Sequence, residues 1–474
     1  MFFEQIFEEK LAQYAYVIGC QKSGEAIVID PMRDIDRYER IAAKNKLKVI
    51  AVAETHIHAD YLSGLREYAE RGVKVYASDE GDKDWKYEWL MGSDYNYQLL
   101  KDGFEFKIGN IKFTTVYSPG HTPEHVSYMV TDGATTDEPM GILSGDFVFV
   151  GDVGRPDLLE TAAGQVGAME GSARTLFGSI EQFKKMPEYL QLWPGHGAGS
   201  ACGKALGAVP ESTVGYEQRF NSSIRAAISE QNFVEFILDG QPEPPLYFAR
   251  MKRDNKLGPK VLGDLPSPNR MSVEDMIGKT QGSDSVIIDT RNRNEFMNGH
   301  IEGSLLATMD KQFNTIAGSY VTEDQEMYLI IDEENLVEAI IDLIRIGLDD
   351  IVGFATISNL EEYSRNGGTL VATTTISFEE ADQLMASGGY TFLDTRKKSE
   401  YDLGHHPEAL NISHTRLLDR IEEIPNDQPV IVHCKSGNRA SFASALLERK
   451  GYKVNYVDDA VEPWLEKNSY TLEV

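Results

Sequence analysis

Short apolar runs in the first half of the chain alternate with polar segments, and this pattern predicts alternating strands and helices. Residues 47–53 are apolar and β-branched, which indicates a buried strand. Residues 14–19 and 25–31 indicate the two strands of a hairpin, with its turn at 20–24. Residues 35–46 indicate a helix that leads into the strand at 47–53. The first half is therefore predicted to be an α/β structure.

Residues that can bind metals stand at the ends of these predicted strands. His56, His58 and Asp60 occupy alternate positions directly after the strand at 47–53. Imidazole nitrogens and carboxylate oxygens are the ligands that borderline divalent metals prefer, although histidines at strand ends also serve only to satisfy backbone groups. Three later apolar segments of the same kind favour the metal interpretation. They end in His121, Asp146 and His196.

The second half of the chain contains one pattern twice. Residues 286–291 recur 105 residues later as residues 391–396, each ending in Asp-Thr-Arg. The residues that follow stay in register, so that His300 matches His405. This indicates an internal duplication of a small α/β domain.

Proline-rich segments separate the predicted regions. Residues 214–230 and 233–238 are predicted to be helical, and the prolines of 241–245 end that helical stretch. Three more prolines in 259–268 indicate a connection to a new domain. The predicted boundaries are a first domain at 1–240, a linker at 241–269 and the two copies at 270–372 and 373–474.

The last copy carries a cysteine where a strand meets a helix. The apolar run 429–433 delivers Cys434 into a short loop, and a helix follows at 441–450. Loop amides and a helix N-terminus directed at the sulfur would stabilise a thiolate or persulfide anion, and Arg439 adds positive charge. The alternatives are a buried structural cysteine and a phosphatase-type loop. The loop residues are Lys435, Ser436, Gly437 and Asn438.

The earlier copy has no cysteine at the equivalent place. Asp332, Glu333 and Glu334 stand there instead, and three carboxylates would repel a bound anion. We therefore predict that this copy is catalytically silent and serves packing or partner binding.

Composition excludes several classes of partner. A formal net charge of −29 disfavours nucleic acid and anionic lipid. The sequence contains no run of about 18 apolar residues that would span a membrane, and its N-terminal segment lacks the basic region of a secretory signal. Three scattered cysteines do not form a disulfide framework, which is typical of a reducing cytoplasm.

The four ligand-bearing segments, in their order, resemble the metallo-β-lactamase superfamily over the first half of the chain. The resemblance implies an αββα sandwich followed here by the two smaller α/β domains. The usual first motif of that superfamily continues with a histidine after the aspartate, but this chain has Tyr61. A second metal would therefore lose an imidazole ligand. One metal would use His56, His121 and Asp146.

Within that superfamily, the segments 55–60 and 145–157 are similar to those of persulfide dioxygenases. The resemblance implies one Fe(II) per chain, held by His56, His121 and Asp146. Two histidines and one carboxylate form the facial triad of non-haem iron oxygenases, whereas zinc has no redox chemistry. His58 and Asp60 are expected to orient ligands or bound water.

Other residues near the predicted metal keep two interpretations. Arg155 either binds a carboxylate or phosphate of a thiol substrate or forms an ion pair with Asp152 or Asp157. Cys202 either faces the metal pocket with a lowered pKa and takes up a persulfide, or is a small buried residue. His196 is expected to be a remnant of the second metal site, and His125 is expected to be structural.

The Asp-Thr-Arg frame and the Cys434 loop resemble the rhodanese family, so the last two domains are expected to be rhodanese-like. The whole order resembles bacterial persulfide dioxygenase–sulfurtransferase fusions. It implies oxidation of a low-molecular-weight thiol persulfide by O2 to sulfite. Cys434 would then carry a second sulfur atom, and sulfite would remove it as thiosulfate.

Two other functions stay open from the sequence. A zinc-dependent thioester hydrolase of the glyoxalase II type, fused to a sulfurtransferase, would need two zinc ions. A non-catalytic sulfur carrier or sensor would use Cys434 as a relay. We also expect a homo-oligomer, while glutathione, coenzyme A, bacillithiol and cysteine all remain possible persulfide carriers.

Overall fold

A computed structural model describes residues 1–161, 167–468 and 470 of the chain. These residues divide into two compact units. The first contains residues 1–244 and 248–263, and the second contains residues 245–247 and those from 264 onward. Within the described ranges no helix is both long enough and apolar enough to span a membrane.

The first unit is built on two six-stranded sheets. One sheet follows chain order and turns from antiparallel pairing to parallel pairing at its fourth strand. Its strands are β1 (Phe2–Glu8), β2 (Gln13–Cys20), β3 (Glu25–Ile29), β4 (Lys48–Ala53), β5 (Lys74–Ser78) and β6 (Tyr97–Leu100). The other sheet has the order β12-β11-β10-β9-β8-β7. Its strands are β7 (Glu105–Ile108), β8 (Ile111–Tyr117), β9 (Val126–Asp132), β10 (Gly141–Gly145), β11 (Gln191–Pro194) and β12 (Ser212–Thr213).

Helices cover the outer faces of both sheets. Along β2, Tyr16 and Ile18 enter the core between the sheets, while the intervening Val17 enters the core shared with the first helices. Ile142 of β10 packs with Leu176 on the far side. The result is the predicted αββα sandwich. The helices are α1 (Asp36–Lys44), α2 (Leu65–Glu70), α3 (Leu158–Thr161), α4 (Ala168–Phe183), α5 (Val214–Phe220), α6 (Ser222–Ala226), α7 (Glu230–Leu238) and α8 (Phe248–Leu257).

The helical region after the sandwich differs from the sequence expectation. Residues 214–230 are not one helix, because Asn221 and Ser229 each start a new one by accepting backbone N–H groups. The segment predicted as a linker, 241–269, contains α8, which belongs to the first unit. Helix α8 is rich in charged residues and offers a weak apolar pattern, so the sequence did not indicate that it packs.

The second unit contains two five-stranded parallel sheets with the same topology. The first copy has the strand order β13-β17-β16-β14-β15, and the second copy has the order β18-β22-β21-β19-β20. When the strands are numbered within each copy, the two strand orders are identical, which confirms two rhodanese-like α/β folds. The strands of the first copy are β13 (Asn269–Arg270), β14 (Val286–Asp289), β15 (Leu305–Leu306), β16 (Met327–Ile330) and β17 (Ile351–Ala355). Those of the second copy are β18 (Thr374–Ile376), β19 (Thr391–Asp394), β20 (Leu410–Asn411), β21 (Val430–His433) and β22 (Val454–Val457).

Helices surround each of these sheets. In the first copy they are α9 (Val273–Thr280), α10 (Arg293–Asn298), α11 (Phe313–Tyr320), α12 (Leu336–Arg345) and α13 (Ile357–Arg365). In the second copy they are α14 (Phe378–Ser387), α15 (Lys398–Asp402), α16 (Asn438–Arg449) and α17 (Val461–Lys467).

The repeated Asp-Thr-Arg motif makes the same contacts in both copies. The Arg291 guanidinium donates to both carboxylate oxygens of Asp289, and Nη2 also donates to the carbonyl oxygen of Gly299 at 2.8 Å. Arg396 donates in the same way to Asp394, and to Gly404 at 2.8 Å. The motif therefore ties the end of one strand to the turn after the next helix.

Candidate functional site

Three side chains predicted as metal ligands meet at one end of the sandwich. His56 follows β4, His121 lies in the loop between β8 and β9, and Asp146 follows β10 directly. His121 Nε2 lies 3.4 Å from Asp146 Oδ2, and His56 Nε2 lies 3.9 Å from the same oxygen. All three are buried, and one ligand atom from each lies within 4.8 Å of the other two. The strand ends therefore bring these residues together.

Hydrogen bonds fix which nitrogen each imidazole presents to this cluster. His121 Nδ1 lies 3.0 Å from the carbonyl oxygen of Arg155, which can only accept, so Nδ1 carries the proton. His121 Nε2 consequently directs a lone pair toward Asp146. His56 Nδ1 lies 2.9 Å from the hydroxyl of Thr55. Burial and the neighbouring imidazoles of His58 and His121 hold the pKa of His56 well below its usual range, which favours the neutral ring that binds metals.

The carboxylate of Asp146 supplies the test of whether this cluster fits a cation. Both oxygens are buried and have no hydrogen-bond partner in the part of the chain that is described. A buried carboxylate without donors costs several kcal/mol, about the size of the effective desolvation penalty of one ion. A divalent cation facing the lone pairs of His56 and His121 would remove this cost. The three residues therefore fit a divalent metal by their chemistry.

A second buried group lies on the other side of Asp146. His196 Nε2 is 3.4 Å from Asp60 Oδ2 and 3.4 Å from Asp146 Oδ2. His196 Nδ1 lies 3.1 Å from the carbonyl oxygen of Ala12, so its Nε2 also presents a lone pair. Cys202 completes this group, with its ligand atom within 4.8 Å of those of Asp60 and His196. Burial raises the pKa of Asp60. Asp146 belongs to the first group, and its carboxylate also lies beside His196 of the second group.

The environment of Cys202 favours the second of its two interpretations, a small buried residue. The first interpretation, a lowered pKa beside Lys204 and loop amides, requires a positive environment around the thiol. Instead, burial and the carboxylates of Asp60 and Asp146 raise its pKa well above the usual range of a thiol. The lysine does not offset this, because its Nζ donates to the carbonyl oxygens of Phe236 and Asp239.

His58 directs one ring nitrogen at Asp30, while its Nδ1 is buried and has no hydrogen-bond partner among the described residues. Its Nε2 lies 3.2 Å from Asp30 Oδ1, while its ring lies beside that of His56, with centroids 4.1 Å apart. Burial acts to lower the pKa of His58, but the carboxylates of Asp30 and Glu54 outweigh it and raise the pKa to about 9. His58 therefore supports the carboxylate of Asp30, which in turn accepts from the backbone N–H of Thr55 at 2.8 Å.

Tyr61, which replaces the usual histidine, is also engaged elsewhere. Its hydroxyl donates to the carbonyl oxygen of Asp30 at 3.3 Å and accepts from Gln13 Nε2 at 3.3 Å. Burial raises the pKa of Tyr61 well above its usual range, so the phenol stays neutral. Neither of the two buried groups includes the Tyr61 hydroxyl.

Arg155 forms the ion pair that was one of its two interpretations. Its Nε and Nη2 donate to the two carboxylate oxygens of Asp157 at 2.8 and 2.6 Å, and its Nη1 donates to the carbonyl oxygen of Ala201 at 3.0 Å. The side chain is buried. Through its own carbonyl oxygen, Arg155 also holds the ring of His121.

His125 has partners for both ring nitrogens. Its Nε2 accepts from the backbone N–H of Asp146 at 3.0 Å, so Nδ1 carries the proton and donates to the hydroxyl of Ser118 at 2.8 Å. The ring thereby positions the backbone of Asp146.

Two residues that support this region were not identified from the sequence. Asp30 directly follows β3, and Asn255 lies on α8 in the predicted linker. Asn255 Nδ2 donates to the carbonyl oxygens of His58 and Tyr61 at 2.8 and 2.7 Å. A ligand-like residue directly after a strand was a signal for Asp30, but α8 offered none for Asn255.

The second rhodanese-like copy carries the other chemical group. Cys434 is buried at the end of β21, and the exposed Lys435 and Ser436 follow it. Gly437 adopts a left-handed conformation, with φ of 85°, and caps α16, which begins at Asn438. A left-handed residue at this point lets successive backbone N–H groups turn toward one side of the loop. The Nζ of Lys435 lies 3.0 Å from Glu462.

Arg439 is balanced by a carboxylate that the sequence did not reveal. Its two terminal nitrogens donate to the two oxygens of Glu400 at 2.5 and 2.8 Å. Burial acts to raise the pKa of Glu400, but these hydrogen bonds and the charge of Arg439 lower it overall. The positive charge beside the Cys434 loop is therefore partly compensated.

The first copy has no cysteine at the matching position. A 3-10 turn formed by Glu333–Asn335 precedes α12 there. In the register of the two sheets, Ile331 matches Cys434, and Asp332, Glu333 and Glu334 match Lys435, Ser436 and Gly437.

Comparison with known proteins divides the chain in a consistent way. Residues 9–196 match the family model of the metallo-beta-lactamase superfamily, and residues 377–467 match that of the rhodanese-like domain. A solved structure described as a metallo-beta-lactamase from Staphylococcus aureus subsp. aureus COL is 38% identical. The match covers 75% of this chain and 98% of that one, with a TM-score of 0.66.

Curated relatives match mainly the first unit. The persulfide dioxygenase ETHE1 of Bos taurus is 27% identical over 198 residues, or 40% of this chain and 66% of the relative. A beta-lactamase hydrolase-like protein of Xylella fastidiosa (strain 9a5c) is 27% identical over 253 residues, or 48% of this chain and 53% of the relative. The chain thus spans between half and two thirds of the length of these relatives.

Proposed function

Because this chain belongs to the metallo-beta-lactamase superfamily and carries a rhodanese-like domain near its C-terminal end, we propose that it couples persulfide oxidation to sulfur transfer. The first unit is a non-haem iron persulfide dioxygenase, and the second is a sulfurtransferase that yields thiosulfate. The observation that carries this proposal is the buried cluster of His56, His121 and Asp146, with its two partnerless carboxylate oxygens.

The composition of that cluster favours iron over zinc. Two imidazoles and one carboxylate with open positions are typical of non-haem iron oxygenases. Fe(II) held there would supply the redox chemistry for a reaction with O2, which zinc does not have. The hydrogen bond from Tyr61 to Asp30 supports one metal, because that hydroxyl is not directed at a second one. His196 and Asp60 are then placed to orient a substrate or water.

The sulfur-transfer step uses residues of the chain alone. The Cys434 thiolate attacks the outer sulfur of a low-molecular-weight thiol persulfide, the S–S bond of that persulfide breaks, and the thiol leaves with a proton. Sulfite then attacks the outer sulfur of the Cys434 persulfide, and thiosulfate leaves as the Cys434 thiolate is restored. Loop amides and the N-terminus of α16 stabilise the sulfur anions in both steps.

Further features of the proposal concern the setting of the reaction. Three unpaired cysteines support a reducing compartment such as the cytoplasm, where sulfide detoxification would take place. A homo-oligomer is part of the proposal. The thiol that carries the persulfide is glutathione, coenzyme A, bacillithiol or cysteine, and assays with the persulfide of each thiol identify which one.

The experiment combines metal analysis, oxygen uptake and product identification. After anaerobic iron loading, we expect about one iron per chain and oxygen uptake with glutathione persulfide. The wild type should release thiosulfate, and Cys434→Ser should release sulfite at an unchanged rate of oxygen uptake. Absence of uptake in fully iron-loaded protein would contradict the dioxygenase. Retained uptake in Cys434→Ser would exclude a sulfur carrier that lacks its own oxidase.

One observation favours a second candidate. The group of Asp60, His196 and Cys202 lies beside Asp146 and offers donors for another cation. Two zinc ions bound in this way would favour a thioester hydrolase of the glyoxalase II type fused to the sulfurtransferase. Metal content of two zinc per chain, with hydrolysis of acylated glutathione, would replace the iron proposal.

A further inference from the structure

The first rhodanese-like copy reaches into the sulfur-transfer loop of the second. Arg293, the first residue of α10, donates from Nη1 to the carbonyl oxygen of Ser436 at 2.8 Å. Its Nη2 lies 3.0 Å from Asp458 Oδ1, directly after β22. A residue of the copy that lacks a cysteine thus binds the backbone between Cys434 and α16.

This contact fixes the peptide plane that begins the cap of α16. In a trans peptide the carbonyl oxygen and the following N–H point in opposite directions. Holding the Ser436 oxygen toward Arg293 therefore directs the N–H of Gly437 away from Arg293. The backbone is tightly packed there, because a Cβ on Gly437 would lie 3.0 Å from Arg293 Nη1 and 2.6 Å from the Tyr456 hydroxyl.

The far end of α16 is also held by the first copy. Arg449, its last residue, donates from Nη1 to the carbonyl oxygen of Gly303 at 2.8 Å and from Nη2 to that of Ser285 at 2.9 Å. Helix α16 also packs against β15. The helix that carries the Cys434 loop is consequently fixed at both ends by the copy without a cysteine.

The contact made by Arg293 is not repeated by the matching residue of the second copy. In the second copy the matching residue is Lys398, which pairs with Asp402 on its own helix. In the first copy the residue four places after Arg293 is Met297, which offers no charge. The guanidinium therefore extends to the other copy.

We propose that Arg293 is a positioning residue of the sulfur-transfer site, and that the first copy is retained because it sets the geometry of the Cys434 loop. Arg293 acts on Cys434 through the peptide between Ser436 and Gly437. The inference deepens the proposed sulfurtransferase function and rests on it for the catalytic readout. The ion pair with Asp458 is partly exposed at both partners, so it adds little to folding stability and the variants should fold.

Three variants test this role. Arg293→Met removes the hydrogen bond and the charge, and Arg293→Lys keeps the charge on a single donor nitrogen. Arg270→Met is the matched control, because Arg270 is an exposed arginine of the same copy that pairs with Glu333. The first readout is the rate at which iodoacetamide alkylates Cys434 at each pH, resolved from Cys20 and Cys202 by peptide mass spectrometry. The second is the steady-state transfer of persulfide sulfur to sulfite.

We expect Arg293→Met to shift the alkylation profile of Cys434 upward by about one pH unit, which corresponds to about a tenfold change in the equilibrium between thiol and thiolate. The kcat of sulfur transfer should fall by a similar factor, with KM changed less than twofold. Arg293→Lys should recover part of both, and oxygen uptake should remain unchanged in all three variants.

Two results would overturn the role of Arg293. One is an alkylation profile and kcat for Arg293→Met that match those of Arg270→Met. The other is a lower melting temperature of Arg293→Met with an unshifted alkylation profile, which would indicate a structural contact only. Failure of the proposed function would look different, because wild-type protein would then transfer no sulfur, while the alkylation profiles would still decide the effect of Arg293 on the loop.

Discussion

Asn255 and His58 lie 197 positions apart in the sequence and are joined by a hydrogen bond of 2.8 Å from the amide Nδ2 to the backbone oxygen. The same amide donates to Tyr61, and its Oδ1 accepts from the backbone N–H of Ser63 at 2.9 Å. Asn255 is buried on α8. One side chain thus satisfies three backbone groups of the loop that follows His56, the first residue of the candidate metal cluster.

Asn255→Ala should destabilise this loop and weaken metal binding. It leaves three buried backbone groups without partners, and each such loss costs about 1–3 kcal/mol. We expect the unfolding free energy of the first unit to fall by about 3 kcal/mol and iron occupancy to fall with it. Urea denaturation followed by tryptophan fluorescence measures the first quantity. Asn232→Ala, an exposed asparagine on α7, is the control, and equal stability of the two variants would contradict the prediction.

Single-ligand variants should separate a one-metal site from a two-metal site. If the iron is held by His56, His121 and Asp146, His121→Ala should lose most of its iron. His196→Ala should keep about one iron per chain, because its Nε2 faces Asp60 as well as Asp146. Elemental analysis of both purified variants after identical iron loading checks this. Equal loss in the two variants would indicate that His196 is a ligand.

The positions of the candidate metal ligands could be predicted because they follow local rules. Apolar strands end in His56, His121 and Asp146, and strand ends on one side of a sandwich converge. The duplicated Asp-Thr-Arg motif predicted two equal sheets, and they have the same strand order. Periodicity thus indicated strands with candidate ligands at their ends, while the αββα fold and the choice of His56, His121 and Asp146 came from the resemblance to the metallo-β-lactamase superfamily.

The residues that support these groups could not be predicted, since their partners are distant in sequence. Asn255 reaches His58 from α8, Glu400 neutralises Arg439, and Arg293 reaches the other copy. The environment of Cys202 also depends on residues that are distant in sequence, which is why the sequence left two interpretations for it. The nearby Lys204 suggested a positive environment, but folding places the carboxylates of Asp60 and Asp146 near the thiol instead.

The two Asp-Thr-Arg motifs allow a matched test of structure against chemistry. Asp289→Asn and Asp394→Asn each leave a nearly buried arginine without its carboxylate. Removing one partner of a buried pair typically costs 3–5 kcal/mol, so both variants should destabilise the second unit by about 3 kcal/mol.

Only Asp394→Asn should slow sulfur transfer, because Asp394 Oδ2 lies 3.7 Å from Nε2 of His433, the residue before Cys434. Thermal unfolding and steady-state transfer to sulfite measure the two effects at a temperature where both variants are folded. Equal loss of transfer in both variants would mean that the motif affects activity through stability alone.

The pair of Glu400 and Arg439 should make the second unit sensitive to acid. In the folded state burial acts to raise the pKa of Glu400, but the hydrogen bonds and charge of Arg439 hold this pKa below the ordinary value of a glutamate. Between the two pKa values the unfolded chain therefore binds more protons, so this stabilisation is complete above the unfolded pKa and is lost as the pH falls through the folded pKa. Since the pair is partly exposed, its contribution should be about 1 kcal/mol.

Glu400→Gln should accordingly be less stable than the wild type at neutral pH, and the difference should shrink as the pH falls below about 4. Denaturant unfolding of the second unit at a series of pH values measures this difference. Glu295→Gln, which removes the exposed counterpart in the first copy, is the matched control. A constant difference between the wild type and Glu400→Gln across the series would contradict the lowered pKa.

The Glu400→Gln variant also leaves the charge of Arg439 uncompensated. Because sulfite is an anion, the KM for sulfite should decrease in Glu400→Gln and remain unchanged in Glu295→Gln.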